Sequence, residues 1–150
     1  MNMEKLAASY RLEYEVKAKD YVRGGEVSSA LRAVLKQLSL PPELVRRCCV
    51  ACYEAEMNII IHSFGGRLRV DIYPDRLIMV AEDNGPGIED LEKAMEEGYS
   101  TAPEEAREMG FGAGMGLPNI KANTDRLDIT TGPEGTKLVM EVLFFGKDGQ

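Results

Sequence analysis

From Arg11 to Lys17 charged and apolar positions alternate, with Leu12, Tyr14 and Val16 set between Arg11, Glu13, Glu15 and Lys17. A period of two predicts a half-buried strand, so the chain is expected to open with a sheet edge. After Arg23-Gly24-Gly25 the spacing becomes helical through Val27, Ala30, Leu31, Val34, Leu35 and Leu38, until Pro41-Pro42 ends the pattern. Pro42 is placed to start a second helix running to about His62, with Val45, Cys49, Cys52, Met57 and Ile60 among its apolar members and Gly65-Gly66 beyond it. Alternation then returns. Leu68, Val70 and Ile72 separate Arg67, Arg69 and Asp71, and Tyr73-Pro74-Asp75-Arg76 turns into Leu77 to Ala81, which predicts an antiparallel hairpin.

The apolar run of the second hairpin strand stops at Glu82-Asp83-Asn84-Gly85-Pro86-Gly87. A short acidic helix is expected from Glu89 to Glu97, closed by Gly98, and a polar loop from Tyr99 to Met109 has the length of a lid or binding segment. Gly110, Gly112, Gly114 and Gly116 then fall at every second position before a helix that includes Lys121. Leu127 to Thr131 and Thr136 to Phe145 form two last strands around Gly132-Pro133-Glu134-Gly135, with Leu138, Met140, Val142 and Phe144 on one face. Gly146 to Gln150 is expected to fray.

Three stretches carry candidate chemistry, each with a plainer alternative. Asp83 can accept a hydrogen bond from an amine while Gly85 and Gly87 let a ligand approach the main chain, yet Asp-Asn-Gly-Pro-Gly is also a good turn. Glu54 and Asn58 lie on one helix face, separated by about 6 Å of rise, so they can share a polar ligand or simply face solvent. Alternate glycines expose backbone N–H groups at a helix start, which suits phosphate, although they also suit flexibility. No Gly-Lys-Ser/Thr ends the ladder and no strand precedes it, so it fits neither a Walker loop nor a Rossmann fingerprint.

Composition narrows the classes. A chain of 150 residues, 44% hydrophobic, suits a single globular domain. A net charge of −7 and a pI near 4.8 disfavour a nucleic-acid surface. No apolar run reaches the roughly 18 residues of a membrane span, and Met1 to Lys5 leads into no signal-peptide core, so a cytoplasmic location is expected. Cys48, Cys49 and Cys52 sit in one predicted helix, an odd cluster that suits core packing and leaves a redox or metal role open.

In order, Glu54-x-x-x-Asn58, Asp83-x-Gly85-x-Gly87, a polar lid, the ladder from Gly110 to Gly116 and Gly135-Thr136 resemble the ATP-binding domain of the GHKL family, shared by gyrase, the heat-shock chaperone, histidine kinases and mismatch-repair ATPases. Within it, Glu54 to His62 looks like the N box of the small bacterial anti-sigma-factor serine/threonine kinases. Met95 to Thr101 and Gly112 to Pro118 look like the related stressosome switch kinases. The resemblance covers about residues 10–145 as one domain and implies an α/β two-layer sandwich, a mixed and mainly antiparallel sheet with helices on one face.

It also implies roles. Glu54 would be the general base, Asn58 would bind Mg²⁺, Asp83 would accept from the adenine amino group, and Thr136 would support Asp83 through water. Nucleotide contacts would further involve Gly85, Gly87, Gly110, Gly112, Gly114, Met115, Gly116 and Leu117. The expected function is an ATP-dependent kinase that phosphorylates a STAS-domain antagonist and switches partners, with a sigma factor, a phosphatase and a second copy of the chain as candidate partners. The alternative is a nucleotide-dependent anti-sigma or adaptor module with little or no transfer. Three features do not carry over cleanly: the cysteine cluster, the long charged lid from Ala102 to Met109, and Glu56, a second acid beside Glu54 at a position where family N boxes vary.

Overall fold

The computed structural model describes residues 8–96 and 116–145. Its longest element is α2 (Pro42–His62), which starts with proline in its first turn and carries buried Val45, Ala51, Ala55, Met57, Ile59, Ile60 and Ile61. At its end Ser63 turns extended. Its hydroxyl donates back to the Ile59 carbonyl at 2.7 Å and accepts from the Gly65 N–H at 3.0 Å. These bonds satisfy groups that a helix end leaves free and turn the chain toward the sheet. Before it, α1 (Glu26–Gln37) buries Val27, Leu31, Val34 and Leu35, while Leu38 stays about half exposed beyond its end.

Five strands follow the order β1-β2-β3-β5-β4: β1 (Tyr10–Val16), β2 (Gly66–Ile72), β3 (Arg76–Asp83), β4 (Arg126–Gly132) and β5 (Gly135–Leu143). Every pairing among them is antiparallel, so the parallel part of the expected mixed sheet is absent from the described strands. The reason lies in the connections. Two helices in succession return the chain to the end it left, so that Val16, the last residue of β1, faces Gly66, the first of β2. A single crossover helix would instead have delivered a parallel strand.

Register aligns the apolar positions into rows across the sheet. Leu12, Val70, Met79, Met140 and Leu127 form one row, and Tyr14, Leu68, Ala81, Leu138 and Ile129 the next. The three central strands bury their members almost completely, whereas the edge strands are half-covered. The helices lie on this face. The opposite face carries ion pairs between neighbouring strands: Arg11 with Asp71 at 2.6 Å, Arg67 with Glu13 at 3.2 Å, Arg76 with Glu141 at 3.1 Å and Lys137 with Glu82 at 3.9 Å. Such pairs contribute little to stability when solvent reaches them, but they suit a face that no helix among the described residues covers.

Two smaller α-helices and a single 3-10 turn, Tyr21–Arg23, complete the described chain. The first, α3 (Leu91–Ala94), is shorter than the expected helix from Glu89; it begins where the Asp90 side chain accepts the Lys93 N–H at 3.2 Å. The second, α4 (Gly116–Asn123), packs on α2 and buries Leu117, Ile120 and Asn123. The contrast between the two sheet faces is testable. Met140→Ala should cost about 2–5 kcal/mol in urea denaturation, and Lys137→Ala on the other face should stay within about 0.5 kcal/mol.

Candidate functional site

β3 ends in Asp83, half-buried, with Oδ1 accepting the Thr136 N–H at 3.0 Å from the start of β5. Burial pushes its pKa above the ordinary aspartate value, and the Thr136 hydrogen bond works against that shift. Among the described residues Oδ2 has no hydrogen-bond partner. The contact with Thr136 is thus made directly by its backbone, while its hydroxyl lies 2.8 Å from that of Thr131. Thr131 Oγ1 also accepts the Ile88 N–H at 2.8 Å, so one hydroxyl pair fixes the residue that follows the glycine loop. Sequence reasoning missed Thr131. Its signal was the four-residue turn, which sets Thr131 opposite Thr136 in register.

The loop after Asp83 and the turn from Gly132 to Gly135 interlock. Gly85 donates its N–H to the Glu134 carbonyl at 3.0 Å, and a Cβ on Gly85 would stand 2.6 Å from the Pro133 carbonyl oxygen. Gly87, at φ +85°, would collide with the Gly132 carbonyl if it carried a Cβ, and Gly135, at φ +147°, with the Asp83 carbonyl. The close approach that these glycines permit is therefore made by the protein's own turn. It holds the carboxylate end of β3 rigidly.

Glu54 and Asn58 are both half-buried on α2. Glu54 Oε2 accepts a hydrogen bond of 2.6 Å from Asn119 Nδ2 on α4, a partner that the sequence did not suggest. The Asn58 side chain has no hydrogen-bond partner among the described residues, and its amide oxygen fits a hard cation shared with phosphate oxygens. No group of three or more His, Cys, Asp or Glu among the described residues could hold a metal by itself. Gly116 begins α4, and a Cβ there would meet nothing within 4 Å. The Leu117 side chain is buried at 7% exposure, so it serves the core. Gly110, Gly112, Gly114 and Met115, with the whole of the expected lid from Tyr99 to Met109, lie outside the described residues.

Glu56 belongs to a different place from Glu54. It is 2% exposed, and its Oε2 accepts the Val27 N–H at 3.4 Å, with the Gly25 and Ser28 amides adding to the same effect. Gly25 offers α1 no side-chain cap, so a carboxylate from α2 performs that task. The cysteines are buried as well. Burial pushes Cys48 up to about 12 and raises Cys49 and Cys52, which suppresses the thiolate that redox or metal chemistry needs and supports core packing.

Residues 17–142 match the histidine kinase-like ATPase domain family, and the chain belongs to it. ATP is the ligand that this membership implies. Among its relatives, the serine/threonine-protein kinase RsbT of Bacillus subtilis (strain 168) is 33% identical over 112 residues, 71% of this chain and 78% of that protein. The anti-sigma F factor of Clostridium novyi (strain NT) is 30% identical over 119 residues, 75% and 80% respectively. That of Clostridium perfringens (strain 13 / Type A) is 30% identical over 138 residues, 87% and 93%. A solved histidine kinase domain from the blue-light activated kinase of Erythrobacter litoralis EL346 is 19% identical with a TM-score of 0.48, covering 81% of this chain and 63% of that one. No helix among the described residues is long and apolar enough to cross a membrane.

The Glu56 cap has a pH signature. Burial raises its native pKa above the ordinary 4.5, so the folded protein holds this proton more tightly than the unfolded chain. Its contribution to stability is then fully present below that ordinary value and is lost as pH rises through the native one. Glu56→Gln should flatten this part of the curve in urea midpoints measured between about pH 4 and pH 8.

Proposed function

We propose that the chain is an ATP- and Mg²⁺-dependent serine/threonine protein kinase that phosphorylates a STAS-domain antagonist and works by exchanging protein partners. The observation that carries the nucleotide reading is the Asp83 carboxylate. One oxygen is held by the Thr136 N–H and the other has no described partner, at the end of an internal strand. That free oxygen suits the exocyclic amine of adenine, which donates where a carboxylate accepts. The kinase reading adds Glu54, with one oxygen bound to Asn119 and the other available to take a proton from an attacking hydroxyl.

The parts divide the work of phosphoryl transfer. Asn58 would hold Mg²⁺, which when bound neutralises charge on the phosphates. Gly110, Gly112, Gly114, Met115 and Gly116 would direct backbone N–H groups at those phosphates from the segment that opens α4. Glu54 then accepts the hydroxyl proton as its oxygen attacks the γ-phosphorus, and ADP leaves. A sigma factor, a phosphatase and a second copy of the chain are further candidate partners. The 33% identity to a serine/threonine kinase supports catalysis, while 30% identity to anti-sigma F factors supports a second reading, a nucleotide-dependent anti-sigma module with slow transfer or none.

Two measurements separate these. Asp83→Asn should weaken ATP binding at least about tenfold, some 1.4 kcal/mol, while leaving the urea midpoint nearly unchanged; equal affinity would remove the adenine assignment. With labelled ATP and the cognate STAS protein, the wild type should yield phosphoserine or phosphothreonine, and Glu54→Ala should reduce the rate about 10²-fold or more. An ATP-bound wild type that transfers nothing, or an Ala variant that still regulates in cells, would favour the adaptor.

A further inference from the structure

We infer that Asn119 is a positioning residue for Glu54, an inference that rests on the kinase reading above. The two side chains come from helices 65 positions apart in sequence and meet at 2.6 Å, with Asn119 Nδ2 donating to Glu54 Oε2. A glutamate on a half-buried helix face has several rotatable bonds and many accessible orientations. One fixed donor selects among them. It occupies Oε2 and presents Oε1, which has no hydrogen-bond partner among the described residues.

The chemical type of the donor matters as much as its distance. A lysine or arginine at this place would add a full positive charge beside the group that must take a proton. An amide orients the carboxylate without adding net charge. Asn119 is itself held in place. Leu117 and Ile120 on either side of it are buried at 7% and 0% exposure, and Asn123 Nδ2 donates to its backbone carbonyl at 2.8 Å. Gly116, the first residue of α4, stands within one helical turn of Asn119. The orientation of Glu54 therefore depends on where the start of α4 lies, and α4 packs directly on α2.

This role separates from a purely structural one by its kinetics. For Asn119→Ala, transfer to the STAS protein at saturating ATP should fall at least about tenfold while the ATP dissociation constant, measured by calorimetry, changes less than about twofold. Asn119→Asp, equal in shape but with an acceptor in place of the donor, should lose at least as much. Asn119→Gln, which keeps the amide, should recover part of the rate. In the wild type, the side-chain amide proton resonances of Asn119 should shift on Glu54→Ala. An active wild type with an unaffected Asn119→Ala, or a loss of rate matched by an equal loss of ATP affinity, overturns the positioning role alone. A wild type that binds ATP and transfers nothing overturns the kinase reading and this role with it.

Discussion

The loop that follows β3 and the turn that joins β4 to β5 can approach as closely as they do only because three glycines carry no side chain. Gly85, Gly87 and Gly135 bring two stretches of main chain to a separation that a Cβ at any of them would block. In that closeness the Asp83 carboxylate meets the Thr136 N–H, and the Thr131 hydroxyl meets the Ile88 N–H. Each strand end depends on the other. The Asp83 side chain is accordingly held by the backbone of a different hairpin, which orients its second oxygen without a charged partner among the described residues.

A single helix supplies three surfaces of the molecule. Along α2 the helical period sends Cys48, Cys52 and Ile59 into the core, Glu56 to the start of α1, and Glu54 with its bond to Asn119 toward α4. Two acids two residues apart thus have unlike tasks. Glu56 stands almost wholly out of water among backbone amides, where burial raises its pKa. Glu54 is only half-buried and keeps one oxygen free of described partners.

Much of this was legible in the sequence because its punctuation is strong. Pro42 and Gly65-Gly66 bound α2 as observed, and the alternation in β1, β2 and β5 gives the correct inward faces. The membership in the ATPase family was likewise carried by local motifs in a fixed order. Other contacts were beyond local reading. The Glu54–Asn119 and Thr131–Ile88 bonds join residues far apart in sequence, and nothing in periodicity selects one amide or hydroxyl over another. Gly85 and Gly87 show a subtler limit. Sequence reveals that something must come close to a glycine, but whether that is a ligand or the chain itself is decided by tertiary packing. Glu56 is similar, since only the position of α1 tells a capping carboxylate from a solvated one.

The sheet face opposite the helices has a consequence for how the molecule is seen from a distance. Its arginines and lysine stand against Asp71, Glu13, Glu141, Glu82 and Asp128, so opposite charges nearly cancel within a few ångströms of one another. Neighbouring opposite charges act outward as dipoles, whose fields die away faster than those of single charges and are further screened by salt. The excess negative charge of the chain is carried elsewhere. An incoming partner will feel little pull toward this face until it is nearly in contact, and its long-range orientation will be set by the remaining surface.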